Sequence, residues 1–192
     1  MVYNGHQQHT ITALVQDKPG VLARVASMFR RRGFNIVSLA VGNSEQPGLS
    51  RMTFVVNGDR DTVDQVTGQL GKLIDVVRIS DLSDQETVAR ELALIKVETS
   101  PANRGEIVQL VNLFRAAIVD VGAKSMVIEI TGEEDKINAL ANLLAPFGIK
   151  EMMRTGRVAM VRGQAEGRVS DSVGIGRRGD IMDRARVNYE GV

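Results

Sequence analysis

The sequence predicts an α+β fold made of two copies of one small βαββαβ unit in tandem. Three observations predict it. V-A-S-M-F-R at 25–30 returns as L-V-N-L-F-R at 110–115, an offset of 85. S-R-M-T-F-V-V-N-G-D-R-D-T-V at 50–63 returns as K-S-M-V-I-E-I-T-G-E-E-D-K-I at 124–137, an offset of 74, which lays Met52 on Met126, Gly58 on Gly132 and Asp61 on Asp135. Within each copy, short runs of alternating apolar residues give way to helical spacing and back again. The change of offset makes the second copy 11 residues shorter between its first helix and its third strand.

The elements follow in order. His9 to Gln16 alternates as a strand does. Residues 20–32 read as an amphipathic helix, with Leu22, Val25, Ala26 and Phe29 at i, i+3, i+4 and i+7. N-I-V-S-L-A-V-G is a strand, N-S-E-Q-P-G is turn chemistry, and L-S-R-M-T-F-V-V-N is a second strand. R-D-T-V-D-Q-V-T-G-Q-L-G-K-L is a helix with Val63, Val66 and Leu70 on one face, and D-V-V-R-I-S closes the unit. In the second copy, E-L-A-L-I-K-V-E-T is a strand and E-I-V-Q-L-V-N-L-F-R-A a helix. I-V-D-V and S-M-V-I-E-I-T form a hairpin, E-D-K-I-N-A-L-A-N-L-L is a helix, and V-A-M-V is the last strand. Both copies are ferredoxin-like. The expected division is a leader at 1–8, a first domain at 9–82, a linker at 83–90, a second domain at 91–163 and a polar tail at 164–192. The tail is expected to be disordered apart from a short helix around Ile181 to Val187.

Composition excludes several functions. The formal net charge is +1, too small for an electrostatic footprint that would favour nucleic acid or an anionic membrane. There is no cysteine, so disulfides, thiol catalysis and thiolate metal sites are out. The only histidines, His6 and His9, are expected as solvated leader residues without a third ligand at suitable spacing. No apolar stretch reaches the roughly 18 residues of a membrane span, and the N-terminus lacks the pattern of a signal peptide. A cytoplasmic protein is expected.

Four motifs invite chemistry. G-I-G-R-R-G at 174–179 matches the dinucleotide fingerprint in letters only, because no apolar strand precedes it and no βαβ unit has room to follow. R-R-R at 30–32 reads as cations at a helix C-terminus, with Gly33 as the cap. G-E-E-D at 132–135 and S-D-Q-E at 83–86 read as solvated caps or linker. No acid–base pair or nucleophile stands among them.

The fourth motif is D-K-P-G at 17–20. Pro and Gly shape a helix start, and Asp favours its dipole. The repeat is an internal control. Gly20 falls on Gly105, but Asp17 falls on Ala102 and Asn35 on Asp120, so the fold does not demand Asp17 and Asn35. A helix N-terminus presents free amides suited to a carboxylate, and glycine lets that backbone approach closely. An aspartate takes an ammonium, and an Asn amide serves either group. Those are the two ends of a free α-amino acid, with Leu22, Ile36 and Val41 expected around an apolar side chain.

The stretch D-K-P-G-V-L-A-R-V-A-S-M-F-R-R-R-G-F-N-I-V-S-L-A-V-G, with P-G-L-S-R-M-T after it, resembles the small regulatory subunit of acetohydroxyacid synthase (acetolactate synthase). E-L-A-L-I-K-V, I-V-D-V and R-T-G-R-V-A-M-V-R-G resemble that family's second half. The resemblance runs from about His9 to Gly163. It implies that the first unit is an ACT domain and the second a ferredoxin-like domain. It implies a partner, a larger catalytic subunit holding thiamine diphosphate, Mg²⁺ and FAD, which condenses pyruvate with pyruvate or 2-oxobutyrate; no cofactor is implied on this chain. It implies a homodimer through the ACT domains, with valine or another branched-chain amino acid bound where two of them meet to give feedback inhibition. Carried over by position, the effector contacts are Asp17, Gly20, Val21, Leu22, Asn35 and Ile36. Many relatives have Asn where this chain has Asp17.

Two other functions compete with this one. A stand-alone tandem-ACT amino-acid sensor acting on transcription predicts activity without an enzyme partner and a basic surface, which the charge does not supply. An independent enzyme needs a catalytic group set, which the sequence does not assemble.

Overall fold

A computed structural model of the chain describes residues 7–163. His6, the 164–192 tail, its expected helix and the G-I-G-R-R-G motif lie outside the described residues. The chain divides into two compact units. One comprises the described residues up to Thr87 and again from Ala159, and the other is Val88–Val158.

The first unit runs β1 (Gln7–Gln16), α1 (Val21–Arg32), β2 (Ile36–Asn43), β3 (Leu49–Gly58), α2 (Arg60–Leu70) and β4 (Val76–Asp81). Its antiparallel sheet has the order β2-β3-β1-β4. Alternation along the two central strands puts Ile11, Ala13 and Val15, with Met52, Phe54 and Val56, into one core with the apolar faces of α1 and α2. Phe29 of α1 stacks on Phe54, centroids 5.3 Å apart, and meets Phe34 edge-on at 6.3 Å.

Helix α1 differs from its expected phase. Val21, Val25, Met28 and Phe29 are buried, whereas Leu22 is 47% exposed. Two stripes of helical spacing share Val25 and Phe29, and packing on the sheet selects the one that includes Val21 and Met28. The helix ends as its composition requires. Gly33 is left-handed at φ 71°, its N–H donates to the carbonyl of Arg30, and the N–H of Phe34 donates to that of Phe29. Arg30, Arg31 and Arg32 fill the last turn. The Asp59 carboxylate caps α2 through the amide of Thr62 at 2.9 Å and its hydroxyl at 2.7 Å.

The second unit runs β5 (Thr87–Glu98), α3 (Arg104–Leu113), β6 (Ala117–Val121), β7 (Ser125–Gly132), α4 (Glu134–Leu144), a 3₁₀ turn (Ala145–Phe147) and β8 (Ile149–Arg154). The order is β6-β7-β5-β8, the same as in the first unit, and β9 (Val158–Val161) also pairs with β5. The strand that completes this βαββαβ unit is therefore β8, not V-A-M-V. I-K-E-M-M-R alternates poorly because only its Ile149 and Met152 pack on the core. Strand β5 begins at Thr87, inside the stretch expected as linker.

Two further expectations are corrected. His9 is 4% exposed, within β1. Ser83 Oγ donates to Asp81 at 2.5 Å and lies 3.0 Å from His9 Nδ1. The strand starts two residues earlier than its clear alternation, and this carries His9 inside. The acids of G-E-E-D do not cap α4 through their side chains. Glu133 pairs with Arg90 and Glu134 with Arg157 instead.

Candidate ligand-binding site

At the start of α1 the chain leaves β1 at Gln16, whose amide donates to the carbonyl of Asp75 at 2.8 Å. The Asp17 amide donates to the Gly48 carbonyl at 2.9 Å, which leaves the Asp17 side chain on the surface. Pro19 and Gly20 make the turn, and Gly20 caps the helix at φ 86°. Only glycine adopts that conformation without strain, and a Cβ there would also meet Arg24 Nη1 at 3.4 Å.

The first turn is open. The Val21 amide donates to Lys18 at 3.3 Å and the Arg24 amide to Gly20 at 3.0 Å. Between them, the amides of Leu22 and Ala23 find no acceptor among the described residues, and no side chain caps the helix. The first turn holds no acid. The end of α1 is thus a cluster of unpaired donors at the positive pole of a dipole.

The six expected contacts do not come together in one chain. Asp17, Gly20, Val21 and Leu22 lie at the start of α1. Asn35 and Ile36 lie past its other end, at the start of β2. The register shows the same separation. Gln16 stands opposite Leu49, whereas Ile36 stands opposite Val56, which stands opposite His9. A 12-residue helix and seven steps of strand place the two groups roughly 20 Å apart. One free amino acid cannot touch both.

Within each end the residues differ in what they offer. Val21 is 3% exposed, so its side chain belongs to the core and only its backbone faces a ligand. Ile36 packs partly against the same core. Leu22 and Val41 are 47% and 48% exposed, apolar and free to face a partner. Val41 lies on β2, the sheet's edge strand, where a bulge between Ile36 and Ser38 also pushes Val37 outward.

Arg24 and Asp75 frame the same end and are missing from the motif reading. Arg24 Nε donates to Asp75 at 2.6 Å, and the Asp75 side chain is only 10% exposed. The available signal was the four-residue step from Gly20 to Arg24, one helical turn. Asp75 carries no such signal, because only the fold brings β4 beside β1. Among the described residues, no group of three or more His, Asp or Glu side chains converges to hold a metal ion.

The comparisons match both units. Residues 11–78 match the family model for the AHAS small subunit-like ACT domain, and residues 90–163 match that for the small subunit of acetolactate synthase. A probable acetolactate synthase small subunit of Archaeoglobus fulgidus is 58% identical over 156 residues, 81% of this chain and 98% of its own length. The acetolactate synthase small subunit of Mycolicibacterium smegmatis is 52% identical over 160 residues, 83% of this chain and 94% of its own length. The crystal structure of the Thermotoga maritima acetolactate synthase small subunit shares 45% identity and superposes with a TM-score of 0.77, covering 83% of this chain and 99% of the other. Sequence, family models and architecture agree: the chain belongs to the acetolactate synthase small subunit family, and its first unit is an ACT domain.

Proposed function

We propose that this chain is the regulatory subunit of an acetolactate synthase, raising the activity of a separate catalytic subunit and binding valine for feedback inhibition. The observation that carries the reading is the separation of the expected contacts to the two ends of α1. An amino acid held by both groups needs two chains, arranged so that the Asp17 end of one faces the Asn35 end of the other. Such a pairing is isologous and makes two equal sites.

The first unit offers the surface this requires. Strand β2 is the sheet's edge, and Val37 and Val41 on it, with Leu22 on α1, are exposed. In the paired state the open amides of α1 take the valine carboxylate, Asp17 and the partner's Asn35 take the ammonium, and Leu22 with Val41 borders the side chain. Binding that favours one setting of the two ACT domains shifts the catalytic subunit, and a coupling of about 1–3 kcal/mol suffices. Thiamine diphosphate, Mg²⁺ and FAD belong to the catalytic subunit in this reading, and no residue of this chain is assigned to them.

Calorimetric titration with valine, leucine and isoleucine, followed by assay with the catalytic subunit, tests the proposal. Saturable valine binding, weakened in both Asp17→Ala and Asn35→Ala, together with stimulation of the synthase, is the expected result. No uptake of any of the three at millimolar ligand contradicts the effector site. Binding without any effect on the synthase favours a stand-alone sensor.

A further inference from the structure

We infer that Arg24, anchored by Asp75, is a carboxylate-reading residue of the effector site at the start of α1, so that this site selects free amino acids over derivatives whose carboxyl group is blocked. The inference rests on the effector reading above and adds a residue and a selectivity to it.

The geometry carries it. The guanidinium is held by one edge, with Nε donating to Asp75 Oδ2 at 2.6 Å. Asp75 is itself fixed, because its carbonyl accepts the Gln16 amide at 2.8 Å at the end of β1. One residue therefore ties the end of β1 to the first turn of α1. The other side of the guanidinium is turned to Gly20, where Nη1 lies 3.4 Å from the place a Cβ would occupy. Among the described residues Nη1 has no acceptor. The Arg24 side chain is half exposed, so its free donors reach solvent at the same helix start that leaves the amides of Leu22 and Ala23 unpaired. A planar guanidinium with a free edge matches a carboxylate better than a single amide does.

The repeat supplies a control on the fold. Buried Ile107 and Val111 of α3 answer buried Val25 and Phe29 of α1, so Glu106 takes the place of Arg24 and α3 forms there without an arginine. Neither the helix nor the βαββαβ unit needs this charge. The two copies also differ at the residue after the strand, where the second has Thr99 in place of Asp17.

The test compares valine with valinamide, which keeps the ammonium and side chain and lacks the carboxylate. Both are titrated calorimetrically into the full-length wild-type chain, Arg24→Gln and Arg24→Lys. Wild type is expected to prefer valine. Arg24→Gln is expected to lose roughly ten- to a hundredfold in valine affinity with valinamide affinity unchanged, the span of one charge-assisted hydrogen bond. Arg24→Lys is expected to recover part of the preference. Equal losses for both ligands in either variant, or no loss for either ligand, overturn the inference and leave the effector site standing. A wild-type chain that takes up neither ligand overturns the effector reading and this inference with it.

Discussion

Gly58 and Gly132 stand at matching places in the two units, yet a methyl group would meet different neighbours. At Gly58 it would lie 2.6 Å from Thr62 Cβ and Cγ2, and Thr62 is held by two hydrogen bonds to Asp59. At Gly132 the nearest atom, also at 2.6 Å, is Cδ of Lys136, which swings aside. Gly58→Ala should therefore destabilise the protein by about 1–3 kcal/mol in urea unfolding, with Gly132→Ala costing less. Gly20→Ala has a different cause, its left-handed backbone, and should cost about 1–2 kcal/mol while weakening valine binding in the same titration. The repeat made Gly58 and Gly132 visible in the sequence, but not their neighbours; Gly105, the letter match of Gly20, lies inside α3 and caps nothing. Asp17 and Asn35 were legible as candidates because the second copy replaces both. Arg24 was overlooked although it meets the same criterion, since its bond to Asp75 depends on where β4 lies.

At the scale of elements, β2 is the edge strand on which the proposed pairing depends. Val41→Lys places a charge on that edge and should shift the chain from dimer to monomer in sedimentation. Because Val41 is about half exposed, the melting of the isolated unit should change by less than about 0.5 kcal/mol. The β2–β3 turn carries a smaller device. A backbone N–H and then the Arg51 side chain hold the Glu45 carboxyl below its usual range. A lowered folded-state value means that any stabilisation is present above the unfolded value and fades as pH falls through the folded one. Arg51→Ala should raise the Glu45 titration midpoint, read by carboxyl-carbon NMR, only part of the way, since the backbone bond remains. The helices show how far pattern reading reaches. The α4 limits are those the pattern predicts, because its apolar stripe is unambiguous. The α1 pattern allowed two overlapping stripes, and tertiary packing chose between them. Strand β8 was missed because half its residues are exposed and polar.

At the scale of the molecule, the tandem repeat announced two βαββαβ units, and both are present with the same strand order. What a single sequence does not display is the distance between residues that a function joins. The 12 residues of α1 were countable, and at about 1.5 Å each they already set Asp17 and Asn35 on opposite sides of the unit. The same distance yields the most direct test of the central claim, that two chains share each site. Asp17→Ala and Asn35→Ala chains, each expected to bind valine only weakly, are unfolded together, refolded and titrated. If the sites span two chains, every mixed dimer carries one site with both residues intact, and random pairing restores about a quarter of the wild-type capacity at wild-type affinity. No recovery from mixed dimers, with their formation confirmed by a mass tag, would contradict the account.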